Sequence, residues 1–287
     1  MQRNQSLNRE RVIVVNILNK FSWAQNTPKF ASSPGAYAIL LFIIIIIFAV
    51  SLLSEPVYSL VNEEFIENYE EQQRNYPGTF YMSGPDSVKE IALSFDDGPH
   101  PRYTRQILDI LAEYNVKATF FLLGQEVEEH PWLVERIARE GHEIGNHSYT
   151  HRNFVRLTWD EIMEEEIKPT GELVENITGE YPELIRPPYG AISERQLERF
   201  SHKNYSIVNW SVDTGDYEEE NNPELIMART HLQLHPGAIL LMHDGGGDRS
   251  NTVKMLPALI EMLEKEGFEL TTVGELISQH SLSEKDN

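Results

Sequence analysis

From Lys89 onward, short apolar runs that read as strands alternate with stretches of helical periodicity, which restricts the body of the chain to an α/β layer or barrel with parallel strands. Strands are read at Glu90–Phe95, Ala118–Leu122, Glu143–Ile144, Leu184–Ile185, Ser206–Val208, Ala238–Met242 and Phe268–Leu270. Between and after them fall helices at about Thr104–Tyr114, Pro131–Glu140, Thr158–Ile177, Glu194–Arg199, Pro223–Leu234, Val253–Lys265 and Val273–Gln279. No internal repeat is visible, and the tail 281–287 is polar.

Chemistry collects where strands end. Asp-Asp-Gly-Pro halts the first strand, leaving Asp96 and Asp97 at its mouth. Successive strand residues point to opposite sides, so the two carboxylates can serve different partners, one a metal and one a proton. His147 and His151 follow the third strand four residues apart, and a helical turn there would put both imidazoles on one face. With Asp97 they would make a two-histidine, one-carboxylate metal site with open positions. In Arg186-Pro187-Pro188-Tyr189-Gly190 the prolines leave the Tyr189 and Gly190 amides to bind an oxyanion, and Arg186 would hold Asp96 in place as a base. His243, ending the most apolar strand, suits a general acid. Gly245-Gly246-Gly247 lacks the Lys and Ser/Thr of a phosphate loop and reads as a flexible loop.

The N-terminal third is different in kind. Ala36–Ser54 carries no charge over 19 residues and matches a transmembrane helix, with a signal peptide as the rival reading. Residues 1–35 hold five bases and one acid, a balance of +4, which leaves −25 to the rest of a chain whose formal net charge is −21. The positive-inside bias then puts 1–35 in the cytoplasm and the acidic body outside the cell membrane. Residues 55–87 read as a stalk with one short helix broken at Pro77-Gly78, leading into the α/β body. So acidic a body excludes nucleic acid as a partner. With no cysteine, there are no disulfides, and any metal falls to histidine and carboxylate.

Taken in order, Ser94-Phe95-Asp96-Asp97-Gly98-Pro99, His147-Ser148-Tyr149-Thr150-His151, Arg186-Pro187-Pro188-Tyr189-Gly190, Asp213-Thr214-Gly215-Asp216-Tyr217 and Leu241-Met242-His243-Asp244 resemble the five motifs of the polysaccharide deacetylases, the NodB-homology or carbohydrate esterase 4 family. The resemblance covers about residues 88–280 and implies a distorted (β/α) barrel of seven or eight strands. It implies Asp97, His147 and His151 as ligands of a divalent ion, zinc foremost and cobalt or nickel as alternatives. It makes Asp96 the base, His243 the acid, and Arg186 with Asp216 the pair that orients Asp96. The Tyr189 amide would hold the oxyanion, and Leu241 would line the acetyl pocket. Two residues depart from the family pattern: Ser94 stands where Thr is frequent, and Tyr217 where Trp is common. The implied reaction is N-deacetylation of a cell-wall glycan, on N-acetylglucosamine or N-acetylmuramic acid units of peptidoglycan. Chitin-like oligomers come second, and a non-catalytic metal- or glycan-binding wall protein is the alternative of another class.

Overall fold

The computed structural model describes residues 69–218 and 222–283. The apolar segment 36–54, residues 1–35 and the first part of the stalk, residues 55–68, lie outside the described residues. Among those described, no helix is long and apolar enough to cross a membrane.

The alternation resolves into a sheet of nine parallel strands: β1 Phe80–Tyr81, β2 Glu90–Gly98, β3 Thr119–Leu122, β4 Glu143–Asn146, β5 Leu184–Ile185, β6 Ser206–Val208, β7 Val212–Asp213, β8 Ile239–His243 and β9 Glu269–Thr271. Their order is β1-β6-β5-β4-β3-β2-β8-β7, with β9 also on β2. Ala92 pairs with both Ile239 and Thr271, so β9 lies on the edge of β2 opposite β8, below β3. Two strands exceed those read from the sequence. One, β1, lies in the stretch read as stalk, where Phe80 is fully buried and pairs with Ile207.

The other, β7, shows why the sheet curls. β6 sits next to one end of the strand order and β7 at the other, yet only Asn209, Trp210 and Ser211 separate them. Four peptide steps reach no more than about 14 Å. The two margins must therefore come together, and β6–β7 acts as one continuing strand that pairs first with β5 and then with β8. The result is a curled α/β sheet of the (β/α) barrel kind.

Strand alternation sorts the core. From β2, Ile91, Leu93 and Phe95 face the helices, packing with Ile107, Leu108 and Leu111 of the helix Tyr103–Tyr114 and with Leu256, Leu259 and Leu263 of the helix Ser250–Lys265. Ala92, Phe121, Val208 and Ile239 face the other way, against Val273 and Leu276 of the C-terminal helix Val273–Ser283. Ser94 and Asp96 continue the inward series. The inner side of β2 thus runs from apolar at its start to acidic at its mouth.

Candidate active site

The mouth of β2 departs from regular strand geometry. Its pairing with β3 shifts register between Asp96 and Gly98, and Asp97 has φ 72°, in the left-handed region that side chains rarely occupy. The bulge changes the outcome foreseen from simple alternation: both carboxylates turn toward the same histidine. His147 Nε2 lies 3.7 Å from Asp96 Oδ2 and 3.5 Å from Asp97 Oδ1. His151 Nε2 lies 3.3 Å from the same Asp97 oxygen.

No helical turn brings the two histidines together, contrary to the spacing argument. They sit on a loop in which Ser148 and His151 have positive φ (76° and 61°), and the His151 amide donates to Ser148 Oγ. Much of this loop hangs on Glu166. That carboxylate is fully buried and accepts from the amides of Tyr149 and Thr150, the Thr150 hydroxyl and Arg152 Nε. Burial alone would raise Glu166, but these donors hold it below its ordinary value. It belongs to a π-helical segment, Glu161–Ile167, leading into the helix Lys168–Thr178. Pro169 lacks the amide a regular α-helix would use there, and the wider turn projects Glu166 inward. The sequence reading missed Glu166 because one more acid in an acidic helix carries no signal.

The three residues fit a divalent ion. Asp97 Oδ1 is buried without a hydrogen-bond partner, although two imidazole nitrogens face it, and such an orphan lone pair suits a cation. One ligand atom from each of Asp97, His147 and His151 lies within 4.8 Å of the others. His147 Nδ1 is 2.7 Å from the Arg186 carbonyl, which assigns the proton to Nδ1 and leaves Nε2 as a lone-pair donor. Burial opposes ionisation of Asp97, but the neighbouring His147 imidazole, with His243 and His151 beyond, holds its carboxyl well below the usual range. Gly245 and Gly246 back this group. A Cβ on Gly246 would lie 2.4 Å from Asp97 Oδ2, and one on Gly245 would lie 2.0 Å from the Asp97 carbonyl. These glycines serve close approach, where the sequence suggested flexibility.

Arg186 is fully buried inside the sheet. Its Nη1 donates to Asp96 Oδ1 (2.7 Å) and to Ser94 Oγ (2.8 Å), its Nε to the Val208 carbonyl and its Nη2 to the Asn209 carbonyl. The guanidinium also lies 4.0 Å from the centre of the Phe121 ring. The Ser94 hydroxyl in turn donates a hydrogen bond to the Leu240 carbonyl, so the hydroxyl is the part of residue 94 in use, and Thr would supply it equally.

Asp216 does not join Arg186 at Asp96, as the resemblance implied. Its Oδ1 is 2.8 Å from His243 Nδ1, while its Oδ2 accepts from the His243 amide and the Thr252 hydroxyl. The reason is register: β7 pairs with β8, so the loop leaving β7 meets the end of β8 and not that of β5. Burial disfavours the His243 imidazolium, but the Asp216 carboxylate beside it, with Asp96 and Asp97 beyond, raises it to about 9.

Asp96, Asp97, His147, His151 and His243 face one cavity of about 360 Å³, with Arg186 and Asp216 buried behind it. Leu241 lies on its wall, and Tyr217 packs its ring edge-on to His243 while its hydroxyl donates to Asp213. Tyr189 stands 63% exposed at the rim. The Gly190 amide, foreseen as an anion donor, is committed to the Pro187 carbonyl, which leaves that of Tyr189. Trp210 and Arg249 also line the cavity, though neither was foreseen. Trp210 could have been found as the residue just past a strand, whereas Arg249 follows the glycine run with nothing to mark it. A larger cavity of about 760 Å³ opens at the opposite, N-terminal ends of the strands and includes none of these groups.

Comparison with known proteins agrees with this geometry. A family described as polysaccharide deacetylase matches residues 83–208. A peptidoglycan-N-acetylglucosamine deacetylase of Bacillus cereus is 42% identical over 195 residues, covering 68% of this chain and 70% of the relative. The peptidoglycan-N-acetylmuramic acid deacetylase PdaC of Bacillus subtilis is 38% identical over 188 residues, 66% of this chain but 38% of that longer protein. Among solved structures, the Bc1960 peptidoglycan N-acetylglucosamine deacetylase superposes with a TM-score of 0.67 at 40% identity, covering 69% of this chain and 92% of that one. A Bacillus anthracis protein described as a CE4 family pseudoenzyme superposes at 0.63 with 31% identity, covering 68% of each chain. The fold is thus shared by active and inactive proteins, and activity has to be argued from side chains. With 42% identity across most of a curated relative and the matching barrel, this chain belongs to the polysaccharide deacetylase family.

Proposed function

We propose that this protein is a metal-dependent hydrolase that removes N-acetyl groups from peptidoglycan, acting on its N-acetylglucosamine units and releasing acetate. The observation that carries the reading is the convergence on one cavity of a buried, guanidinium-held carboxylate, a carboxylate–imidazole set with an orphan oxygen, and an imidazole charged by its own aspartate. The names of the similar Bacillus proteins support the substrate.

Asp97, His147 and His151 would hold the ion, and zinc suits imidazole and carboxylate donors. Bound there, such an ion supplies Lewis acidity toward the amide carbonyl and toward water. Asp96 acts as the base. Arg186 fixes its Oδ1 and leaves Oδ2 on the His147 side to accept the proton of the attacking water. The Tyr189 amide donates to the developing oxyanion. His243, kept as imidazolium by Asp216, protonates the departing amine so that the sugar leaves with a free amino group. Leu241 and Tyr217 bound the space for the acetyl methyl.

The same reading includes an anchor. The uncharged segment 36–54 with a basic flank on one side and the acidic body on the other supports a single span of the cell membrane, the body facing the wall.

Acetate release from purified peptidoglycan tests the proposal, before chelation, after it, and after zinc or cobalt is restored. Asp96→Asn should lower release by about 10²- to 10⁴-fold, the range general-base catalysis supplies. Equal release by this variant and the wild type would remove Asp96 from the reaction. No release by the wild type on any glycan would favour a binding protein on the same fold.

A further inference from the structure

We infer that the cavity beside the catalytic one is a subsite for a carboxylate carried by the glycan, read by Arg156; this rests on the deacetylase reading above. The cavity, about 500 Å³, is lined by His151, Arg152, Asn153, Arg156, Leu157 and Tyr189. His151 and Tyr189 also line the catalytic cavity, so the two hollows share one imidazole and one aromatic ring. The Tyr189 backbone stands at φ 62° and its ring packs edge-on to His151 at 4.7 Å. An aromatic ring held in the open between two hollows offers its face to a sugar, so a glycan with its acetamido group in the first hollow can pass over Tyr189 into the second.

Charge then distinguishes one glycan from another. Of the two guanidinium groups in the second cavity, that of Arg152 is engaged, Nε on Glu166 and Nη2 on Glu165. Arg156 is exposed, and among the described residues no carboxylate pairs with it. Its backbone is ordered in advance by the 3₁₀ turn Phe154–Arg156, capped by Asn153 and pinned by the fully buried Phe154. Because Asn153 Oδ1 accepts the Val155 amide, the Asn153 NH₂ is left as a second donor. In a chain of formal net charge −21, an open cation one ring away from the catalytic cavity offsets repulsion of an acidic polymer where that polymer must sit. Chitin has no group to meet it. Peptidoglycan offers two: the lactyl carboxylate of N-acetylmuramic acid when free, and the carboxylates of the stem peptide.

The test uses four oligosaccharides of equal length: N-acetylglucosamine alone, alternating N-acetylglucosamine and N-acetylmuramic acid with free lactyl carboxylates, the same with those carboxylates reduced to alcohols, and the same bearing stem peptides. Dissociation constants and acetate release are measured for wild type, Arg156→Gln and Arg156→Lys. For wild type, a carboxylate-bearing oligomer should exceed the reduced one about fivefold in affinity and in kcat/KM, as expected of a partly exposed ion pair. The ratio should fall to about one in Arg156→Gln and stay in between in Arg156→Lys. Preference for the free lactyl oligomer identifies that group as the ligand, and preference confined to the peptide-bearing one identifies the peptide. A wild-type ratio of one, or a ratio that survives Arg156→Gln, overturns the inference. Absence of acetate release from all four defeats the deacetylase reading separately, since the binding ratios still decide the role of Arg156.

Discussion

Replacing Asp216 by Asn should uncharge His243. The imidazolium at about 9, against an ordinary 6.5, is favoured by about 3 kcal/mol even though burial opposes it. Asp216 is the nearest source of that preference, through both charge and the 2.8 Å contact with Nδ1. An amide carries no charge, and its orientation is dictated by its other neighbours. The site of Oδ2 receives the His243 amide and the Thr252 hydroxyl, so the carbonyl oxygen of Asn must take that position. Its NH₂ then points at Nδ1, which has to accept, and the neutral Nε2–H tautomer is left in place of the imidazolium. Asp96 and Asp97 still attract a proton, so His243 should come to titrate below about 8, a loss of more than about 1.4 kcal/mol. Nitrogen-15 histidine spectra of the chelated protein, with His243→Gln for assignment among ten histidines, follow the group directly. In turnover, the alkaline limb of kcat/KM should move to lower pH in Asp216→Asn. If His243 titrates within half a pH unit of wild type, Asp216 is not what charges it, and the role given to the pair fails.

Glu166→Gln should weaken zinc binding by about 10- to 100-fold, measured by competition with a chelator, because the loop between His147 and His151 loses the acceptor that holds Tyr149, Thr150 and Arg152. Unchanged affinity would show that the loop holds its shape without it. His142 should make stability fall on mild acidification: burial first, then the Lys117 charge, lower it to about 4, and its Nδ1 accepts the Ala118 amide, a bond the imidazolium cannot keep. The folded value lies below the unfolded 6.5, so the contribution, up to about 3 kcal/mol, is complete above 6.5 and lost as pH falls toward 4. Urea midpoints at pH 7 and pH 4 for wild type and His142→Gln check this, and an identical loss in both would refute it. Ser94→Thr should keep stability and activity, whereas Ser94→Ala, which leaves Arg186 Nη1 with one acceptor fewer, should cost about 1–3 kcal/mol in the same urea assay.

Strands and helices were legible where the chemistry of a residue is local. The apolar runs and the turn at Asp96-Asp97-Gly98-Pro99 mark β2, and the periodic stretches mark the longer helices to within a few residues, whereas the six-residue helix Gly124–Glu129 is too short to show a period and was not read. The ligating trio could be proposed from residue type and position alone. What could not be read depends on long-range register. The bulge that turns Asp97 toward His151, the pairing of β7 with β8 that gives Asp216 to His243, and the two-residue β1 all depend on neighbours distant in sequence. Glu166 was hidden for a related reason. Its inward course comes from the π-helical turn ahead of Pro169, whereas its composition matches its exposed acidic neighbours.

The three-residue passage from β6 to β7 bears on how such a protein can diverge. Connections that run through helices on the outside can lengthen at modest cost, since loop closure grows only slowly with length. Asn209, Trp210 and Ser211 have no such latitude: the Asn209 carbonyl holds Arg186, Trp210 forms part of the cavity wall, and the Ser211 amide donates to Ile239. A single inserted residue would move the base's anchor, the cavity wall and the closure of the sheet together. Descendants of this sequence are free to gain loops and domains around the barrel, but the seam must keep its length.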